Sequence, residues 1–491
     1  ARLMTMLSFN CYVRRLIAPA LILIGVAVGP ALAQGPASAD RIVPTSRTET
    51  QLSFAPIVRK VAPAVVNIYT RKVEVTRRRN PLMDDPIWRR FFPDEFAAGG
   101  PVRKRVRNSL GSGVIVDAGG TIITNVHVVR GAEEIRVVLS DRREFDARVV
   151  LTDPRTDLAV LSIDTGGEDL QFLRFFDSDK LEVGDLVLAI GNPFGVGQTV
   201  TSGIVSGLAR TTVGVTDFRF FIQTDAAINP GNSGGALVTM DGRLAGINTA
   251  IYSRSGGSVG IGFAVPSAMV RTVVAAVAGG ARVVRPWFGA TGQGVTAAIA
   301  GSIGMARPRG VIVGRVHPAS PAAAAGLRLG DIVTAVNGHQ VDDPQALRFR
   351  FATLPVGGTA KLSLLRGGRE ISIDIALKAP PQIPPAETTR LKGNLPLAGT
   401  TIANLSPALA DAIGLDTGLE GVIVLQVAPR SAAQRLRLKK GDILRAVNTH
   451  TVTSVGALKA YLKSAGPQPR WRISFDRKGR ALTVVVSGGQ P

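Results

Sequence analysis

Hydrophobic patterning divides the chain into stretches of different kind. Near the start, residues 16–31 are almost wholly apolar; they follow Arg14 and Arg15 and close on Ala31-Leu32-Ala33. A basic start, an apolar middle and a small-residue finish predict a secretory signal peptide over 1–33, cleaved after Ala33. An uncleaved membrane anchor is the alternative, since the run nearly reaches spanning length. The residues flanking the arginine pair fit twin-arginine export poorly. The chain opens on Ala1, which places the natural start at Met4, Met6 or upstream.

Residues 34–53 are polar and rich in Pro, Ser and Thr, a flexible lead-in. From Phe54 the pattern changes to short, β-branched apolar runs separated by turns, at 64–69, 113–116, 135–139 and 185–190. Many short strands, glycine turns and few helices predict a mainly β region over 54–278, a barrel or sandwich large enough for two barrels. An insertion rich in Arg, Phe and Pro interrupts it at 71–109 and reads as a long functional loop.

Beyond Arg285 the chain repeats itself. Gly310-Val-Ile-Val is followed by Gly330-Asp-Ile and Ala335-Val-Asn; Gly421-Val-Ile-Val is followed by Gly441-Asp-Ile and Ala446-Val-Asn. The constant offset predicts two copies of one small α+β module, 286–378 and 391–488. A Pro-rich stretch, 379–390, joins them as a semi-rigid linker.

A length of 491 residues and 45% hydrophobic content suit about three globular domains. The one cysteine, Cys11, lies in the leader, so the mature chain holds itself together by burial and not by disulfides. The formal charge is +22, and removing Arg2, Arg14 and Arg15 with the leader leaves +19. Only 12 of the 58 basic residues are lysine, and the arginines are scattered. With aromatics at 5%, this is arginine-rich composition on a solvated surface and not a nucleic-acid platform. Weak attraction to anionic membrane surfaces stays open.

Candidate chemistry centres on the stretch 224–236, Thr-Asp-Ala-Ala-Ile-Asn-Pro-Gly-Asn-Ser-Gly-Gly-Ala, where glycines frame Ser233. Such framing permits unusual backbone angles and close substrate approach, although similar stretches are often plain turns. A serine nucleophile needs a histidine base held by a carboxylate. Of the four histidines, His317, His339 and His450 fall in the repeats, which leaves His127 in the β-rich region. Alone, His127 would read as a satisfied core residue. Asp157 leads into an apolar strand and suits the orienting acid, while Asp153, before Pro154, reads as a turn residue. The three together reverse the separate readings. Gly231-Asn-Ser-Gly-Gly235 also fits the esterase G-x-S-x-G pattern, but that fold needs serine first and alternating helices.

These residues resemble the HtrA (Deg) family of trypsin-like serine proteases, in its bacterial periplasmic branch with two PDZ domains. The matching text is 111–116, Thr124-Asn-Val-His-Val-Val129, Asp153-Pro-Arg-Thr-Asp-Leu-Ala-Val160, Gly191-Asn-Pro-Phe-Gly195, Thr201-Ser-Gly-Ile-Val205 and 224–236. The resemblance implies a trypsin-like double β-barrel followed by two PDZ domains. It makes His127 the base, Asp157 its partner and Ser233 the nucleophile, without metal or organic cofactor. Gly231, Asn232 and Ser233 would form the oxyanion hole. Thr249, Ala250, Ile251, Tyr252 and Ser253 would line the substrate cleft. Trp287, Phe288, Gly289 and Ala290 would hold a peptide carboxylate in the first PDZ domain; Leu397 to Thr400 is the counterpart in the second, which departs from pattern at 431–435 and is expected to serve assembly. The implied protein is an exported, ATP-independent endopeptidase acting on unfolded envelope proteins and cutting after small aliphatic residues. It would work as a trimer or multiple of trimers in the periplasm, with 71–109 as a regulatory loop and resting states in which the triad is misaligned until a peptide binds. A chaperone or peptide-binding protein on the same scaffold is the alternative.

Overall fold

A computed structural model describes residues 53–77, 102–191, 198–210, 220–229, 231–251, 258–280, 282–393, 395–466 and 470–487. The expected leader, cleavage site and most of the lead-in lie outside them. From Phe54 onward the chain forms one compact unit.

Two closed barrels of six strands each open this unit. The first is built from β1 (Val65–Arg77), β2 (Val102–Ile115), β3 (Thr121–Asn125), β4 (Glu134–Val138), β5 (Glu144–Asp153) and β6 (Leu158–Ile163), in the order β1-β2-β3-β6-β5-β4. The second comprises β7 (Leu186–Gly191), β8 (Thr199–Arg210), β9 (Phe221–Thr224), β10 (Ala236–Thr239), β11 (Leu244–Ile251) and β12 (Gly262–Pro266), in the order β10-β11-β12-β9-β8-β7. Neighbouring strands in both barrels run antiparallel.

Period-two alternation explains why the barrels adhere. On β7, Val187 and Ala189 join the second barrel's core, whereas Leu188 and Ile190 enter a different cluster. That cluster also takes Val114, Ile123 and Val160 from the first barrel and Val238, Ile247 and Val265 from the second. The seam between barrels is therefore a continuous apolar layer. The helix Ser267–Ala278 packs Met269, Val270 and Val273 onto it.

The arms of the 71–109 insertion correct the loop reading. β1 and β2 stay paired out to Arg77 and Val102, because Lys72-Val-Glu-Val-Thr and the Val106 side alternate in strand fashion. The remainder, 78–101, lies outside the described residues.

Each repeat is a small antiparallel sheet with helices, six strands in the first and seven in the second. The shared Gly-Asp-Ile text has a structural cause. Asp331 is buried and accepts from the Arg328 N–H (2.7 Å) and from the Arg366 guanidinium at both oxygens, while Arg366 also donates to Gly326 O. Asp442 does the same with the Lys439 N–H, with Arg477, and through Arg477 with Arg437 O. The linker ends earlier than its composition predicts, because Thr389–Arg390 forms a strand on the second sheet.

The first repeat docks on the barrels through its helix Pro344–Ala352. Phe349 is 1% exposed, belongs to the seam cluster, and stacks on Phe220 with centroids 3.8 Å apart. Arg350 lies over both rings and pairs with Asp179.

Burial would raise the Asp331 carboxyl, but the hydrogen bonds from Arg366 and Arg328 outweigh it and hold it below the usual range. A lowered folded value gives stability that is full above the unfolded carboxylate range and is lost as pH falls through the lowered value. Asp331→Ala should therefore destabilise the first repeat by about 2 kcal/mol at pH 7, since it removes the charge-assisted hydrogen bonds from Arg366 and the bond from the Arg328 N–H. Urea denaturation should show the gap from the parent shrinking at acidic pH; a gap independent of pH would contradict the clasp.

Candidate active site

The cleft between the barrels collects all three residues singled out for chemistry. His127 sits in a single helical turn, Val126–Val129, that directly follows β3. The buried valines at 126, 128 and 129 leave the imidazole as the outward side chain, 42% exposed. Asp157 ends the turn between β5 and β6 and adopts φ +59°, a left-handed conformation that a short polar side chain tolerates. That conformation lets one residue serve two directions. Its carbonyl accepts from Val126 N (3.0 Å) and Asn125 Nδ2 (2.9 Å), while its carboxylate faces the histidine.

The carboxylate is nearly saturated. Asp157 Oδ1 accepts the His127 backbone N–H at 3.0 Å, and Oδ2 lies 2.5 Å from His127 Nδ1. Thr249 Oγ1 donates to the same Oδ2 at 3.1 Å. This fixes the ring so that Nε2 is the nitrogen presented to the cleft. Thr249 belongs to β11, so the orienting network crosses from the first barrel to the second.

Ser233 lies in the loop between β9 and β10. The loop is fastened to the first barrel: Ser112 N donates to Ser233 O (2.9 Å), Ser112 Oγ to Gly231 O (2.6 Å), and Thr124 Oγ1 to Ser112 O (2.7 Å). Gly234 is indispensable here, because its φ is +83° and a Cβ would lie 2.1 Å from Ser112 O. Ser233 Oγ donates to Thr249 O at 3.3 Å, and not to His127. Acid and base are thus assembled while the hydroxyl is turned aside. The N–H groups of Gly231 and Ser233 meet no acceptor among the described residues, whereas Asn232 N donates to Asn229 O. N–H groups of this kind, with no acceptor among the described residues, can stabilise a developing oxyanion beside the serine. The Asn232 side chain is buried, and neither its amide oxygen nor its nitrogen has a partner among the described residues.

Of the expected cleft residues, Thr249, Ala250 and Ile251 lie on β11; Tyr252 and Ser253 fall outside the described residues. The double duty of Thr249, hydroxyl to the acid and carbonyl to the serine, was not legible in the sequence. Asp153 is also more than a turn residue. It is 5% exposed, accepts from Thr156 Oγ1 (2.6 Å) and pairs with the buried Arg285, the residue that leads into the first repeat. Arg155, between them, pairs with Asp411 of the second repeat.

A second candidate site lies in the first repeat. Trp287, Phe288, Gly289 and Ala290 border a cavity of about 190 Å³, opposite Leu347 and Phe351 of the helix Pro344–Ala352. Gly289 has φ +72°, and the N–H groups of Phe288 and Gly289 meet no acceptor among the described residues. Residues of the second repeat reach its mouth, where Trp287 Nε1 donates to Thr417 Oγ1 at 3.2 Å. Among the described residues no cluster of His, Cys, Asp and Glu could hold a metal ion.

The Trypsin-like peptidase domain family matches residues 111–247, and the PDZ domain family matches 286–377 and 397–487. The chain is 38% identical over 466 residues to the periplasmic serine endoprotease DegP of Escherichia coli K12, covering 90% of this chain and 94% of the relative. The Salmonella typhimurium protein of the same name is also 38% identical, with 91% and 94% covered. Among solved structures, the HtrA-type protease AlgW with a decapeptide is 42% identical with a TM-score of 0.50, covering 68% of this chain and all of that one. AlgW with a tripeptide is 39% identical at a TM-score of 0.51, covering 67% and 98%.

Thr249→Val keeps the shape and deletes one hydrogen bond to an ionised group, worth about 1.5 kcal/mol. Hydrolysis of a p-nitrophenyl ester should slow about tenfold with the thermal midpoint nearly unchanged. An undiminished rate would show that the Thr249–Asp157 bond contributes nothing to the chemistry.

Proposed function

The chain belongs to the HtrA family of trypsin-like serine endoproteases with PDZ domains, and from that premise we propose that Ser233, His127 and Asp157 carry out its peptide-bond cleavage. The observation that supports the assignment is the bond network around Asp157, which engages His127 Nδ1 and the hydroxyl of Thr249, whose carbonyl accepts from Ser233 Oγ. Endopeptidase activity is the family's; the roles of these residues are our reading.

In this mechanism the Ser233 hydroxyl leaves Thr249 O and turns to His127 Nε2. His127 takes the proton as Ser233 Oγ attacks the substrate carbonyl, and Asp157 stabilises the resulting imidazolium. The N–H groups of Gly231 and Ser233 receive the oxyanion; one such donor is typically worth about 10²–10³ in rate. His127 then protonates the leaving amine, and the acyl group stays on Ser233. Water enters, His127 takes one of its protons, and hydrolysis frees the second product and restores the serine.

The substrates in this reading are unfolded or damaged proteins of the bacterial envelope, cut after small aliphatic residues, without ATP. The relatives' names support a periplasmic location, and the PDZ domains support capture of peptide termini, with Trp287 to Ala290 as the first site. Assembly as a trimer or a multiple of trimers is part of the same proposal.

Casein digestion tests the assignment. Ser233→Ala should reduce turnover by about 10⁴-fold or more, to background, and the parent's fragments should end mainly in valine or alanine. Digestion by the alanine variant at the parent rate would overturn the catalytic assignment. Fragments ending in arginine or lysine would overturn the specificity.

A further inference from the structure

The two repeats share a fold but differ at one sheet edge. In the first, the strand Ala290–Gly294 is outermost and, among the described residues, pairs with Val311–Val316 alone. Its outer side borders the cavity beside the helix Pro344–Ala352. In the second, the matching strand Thr400–Asn404 pairs with Val422–Val427 on one side and with Thr389–Arg390 on the other.

The loops at the head of these two strands are equivalent. Gly289 and Gly399 both have positive φ, and at each a Cβ would lie 2.2 Å from the Cβ of a serine, Ser320 or Ser431. His317 N donates to Gly289 O, and Ala428 N donates to Gly399 O, both at 2.8 Å. The Gly289 N–H meets no acceptor among the described residues, but the Gly399 N–H donates to Leu391 O at 2.9 Å.

The segment that brings Leu391 there runs antiparallel along the strand. Asn404 N donates to Ala386 O (2.7 Å), Thr389 and Arg390 face Ile402 and Thr401, and Leu391 N donates to Thr400 O (2.9 Å). The Leu391 side chain is 6% exposed and joins the core cluster of Leu397, Ile402, Val455 and Leu458. A carbonyl on the loop N–H, an aliphatic side chain buried beside it and a ladder along the strand are the contacts of a peptide added to a sheet edge.

We propose that the second repeat contains a working peptide groove whose resident ligand is this chain's own segment 386–391. An external peptide of the same chemistry, extended and ending in an aliphatic residue, binds there once that segment leaves. The inference rests on reading the repeats as peptide-capturing modules. A tethered occupant reaches millimolar effective concentration, so micromolar external peptide does not displace it. The external ligand brings a terminal carboxylate that the resident segment lacks. Arg430 and Arg435 line the concavity beside Gly399, and neither forms an ion pair among the described residues. At the offset of the repeat, their counterparts are Ala319 and Ala324, so the fold itself does not require these cations.

The test uses the full chain with Cys11→Ser and a photo-crosslinking peptide, Glu-Thr-Thr-Arg-Leu with a free carboxylate, at about 10 μM, far below the effective concentration of the tether. On the parent, crosslinks should map to the first repeat alone. On Leu391→Asp, which expels the buried anchor, labelling of 398–404 and 455–464 should rise about tenfold or more as the tethered competitor is lost. The pair Arg390→Cys with Thr401→Cys checks occupancy without that disruption. These facing positions should oxidise readily to a disulfide, and the locked chain should show no second-repeat labelling. First-repeat crosslinks alone on Leu391→Asp would overturn the inference and leave the reading of the repeats standing. Failure of the cysteine pair to oxidise would overturn it independently, and absence of crosslinks at both repeats would overturn it together with that reading.

Discussion

One carboxylate carries the constraint on which the rest of the structure depends. Asp157 must face the His127 ring, its backbone N–H and the Thr249 hydroxyl at once. Two of these groups belong to the first barrel and one to the second, so the geometry exists only while the barrels are in register. The apolar seam supplies that register, with Ile123 and Val160 meeting Leu188 and Ile247 in one cluster. Burial is the large, undirected term, and the bonds to Asp157 convert it into a direction.

The turn that presents Asp157 is also where the other domains converge. Arg285 pairs with Asp153 at its start, and Asp411 pairs with Arg155 in its middle. Arg285 stands two residues before Trp287, where the cavity of the first repeat begins, and the helix on the far side of that cavity sends Phe349 into the seam. The proposed catalytic acid and the proposed peptide-capturing loop are thus packed on a common support. Ser233 Oγ donates to the carbonyl of Thr249, the same residue whose hydroxyl bonds Asp157.

What the sequence disclosed followed from how local each signal is. Ser233 is framed by glycines, His127 by valines, and Asp157 leads into an apolar strand, so all three could be put forward as candidates without a fold. The Gly-Asp-Ile repeats were readable for the same reason, since Asp331 and Asp442 bond to N–H groups three residues away. Thr249 was read as a cleft residue only, because its partner Asp157 is distant in sequence and nothing in the spacing connects them. Asp153 looked like a turn residue because Arg285 lies more than a hundred positions on. The strand at Thr389–Arg390 was hidden inside Pro-rich text, and only the open edge of Thr400–Asn404 makes it a strand.

The most direct test is covalent labelling of Ser233 by a fluorophosphonate, followed by mass spectrometry, with and without a peptide ending in an apolar residue. Without peptide, slow labelling on Ser233 alone is expected. With the peptide, labelling should be faster by about tenfold or more, roughly 1.4 kcal/mol in the barrier. Labelling at another residue, or a rate that the peptide leaves unchanged, would contradict Ser233 as a nucleophile under peptide control.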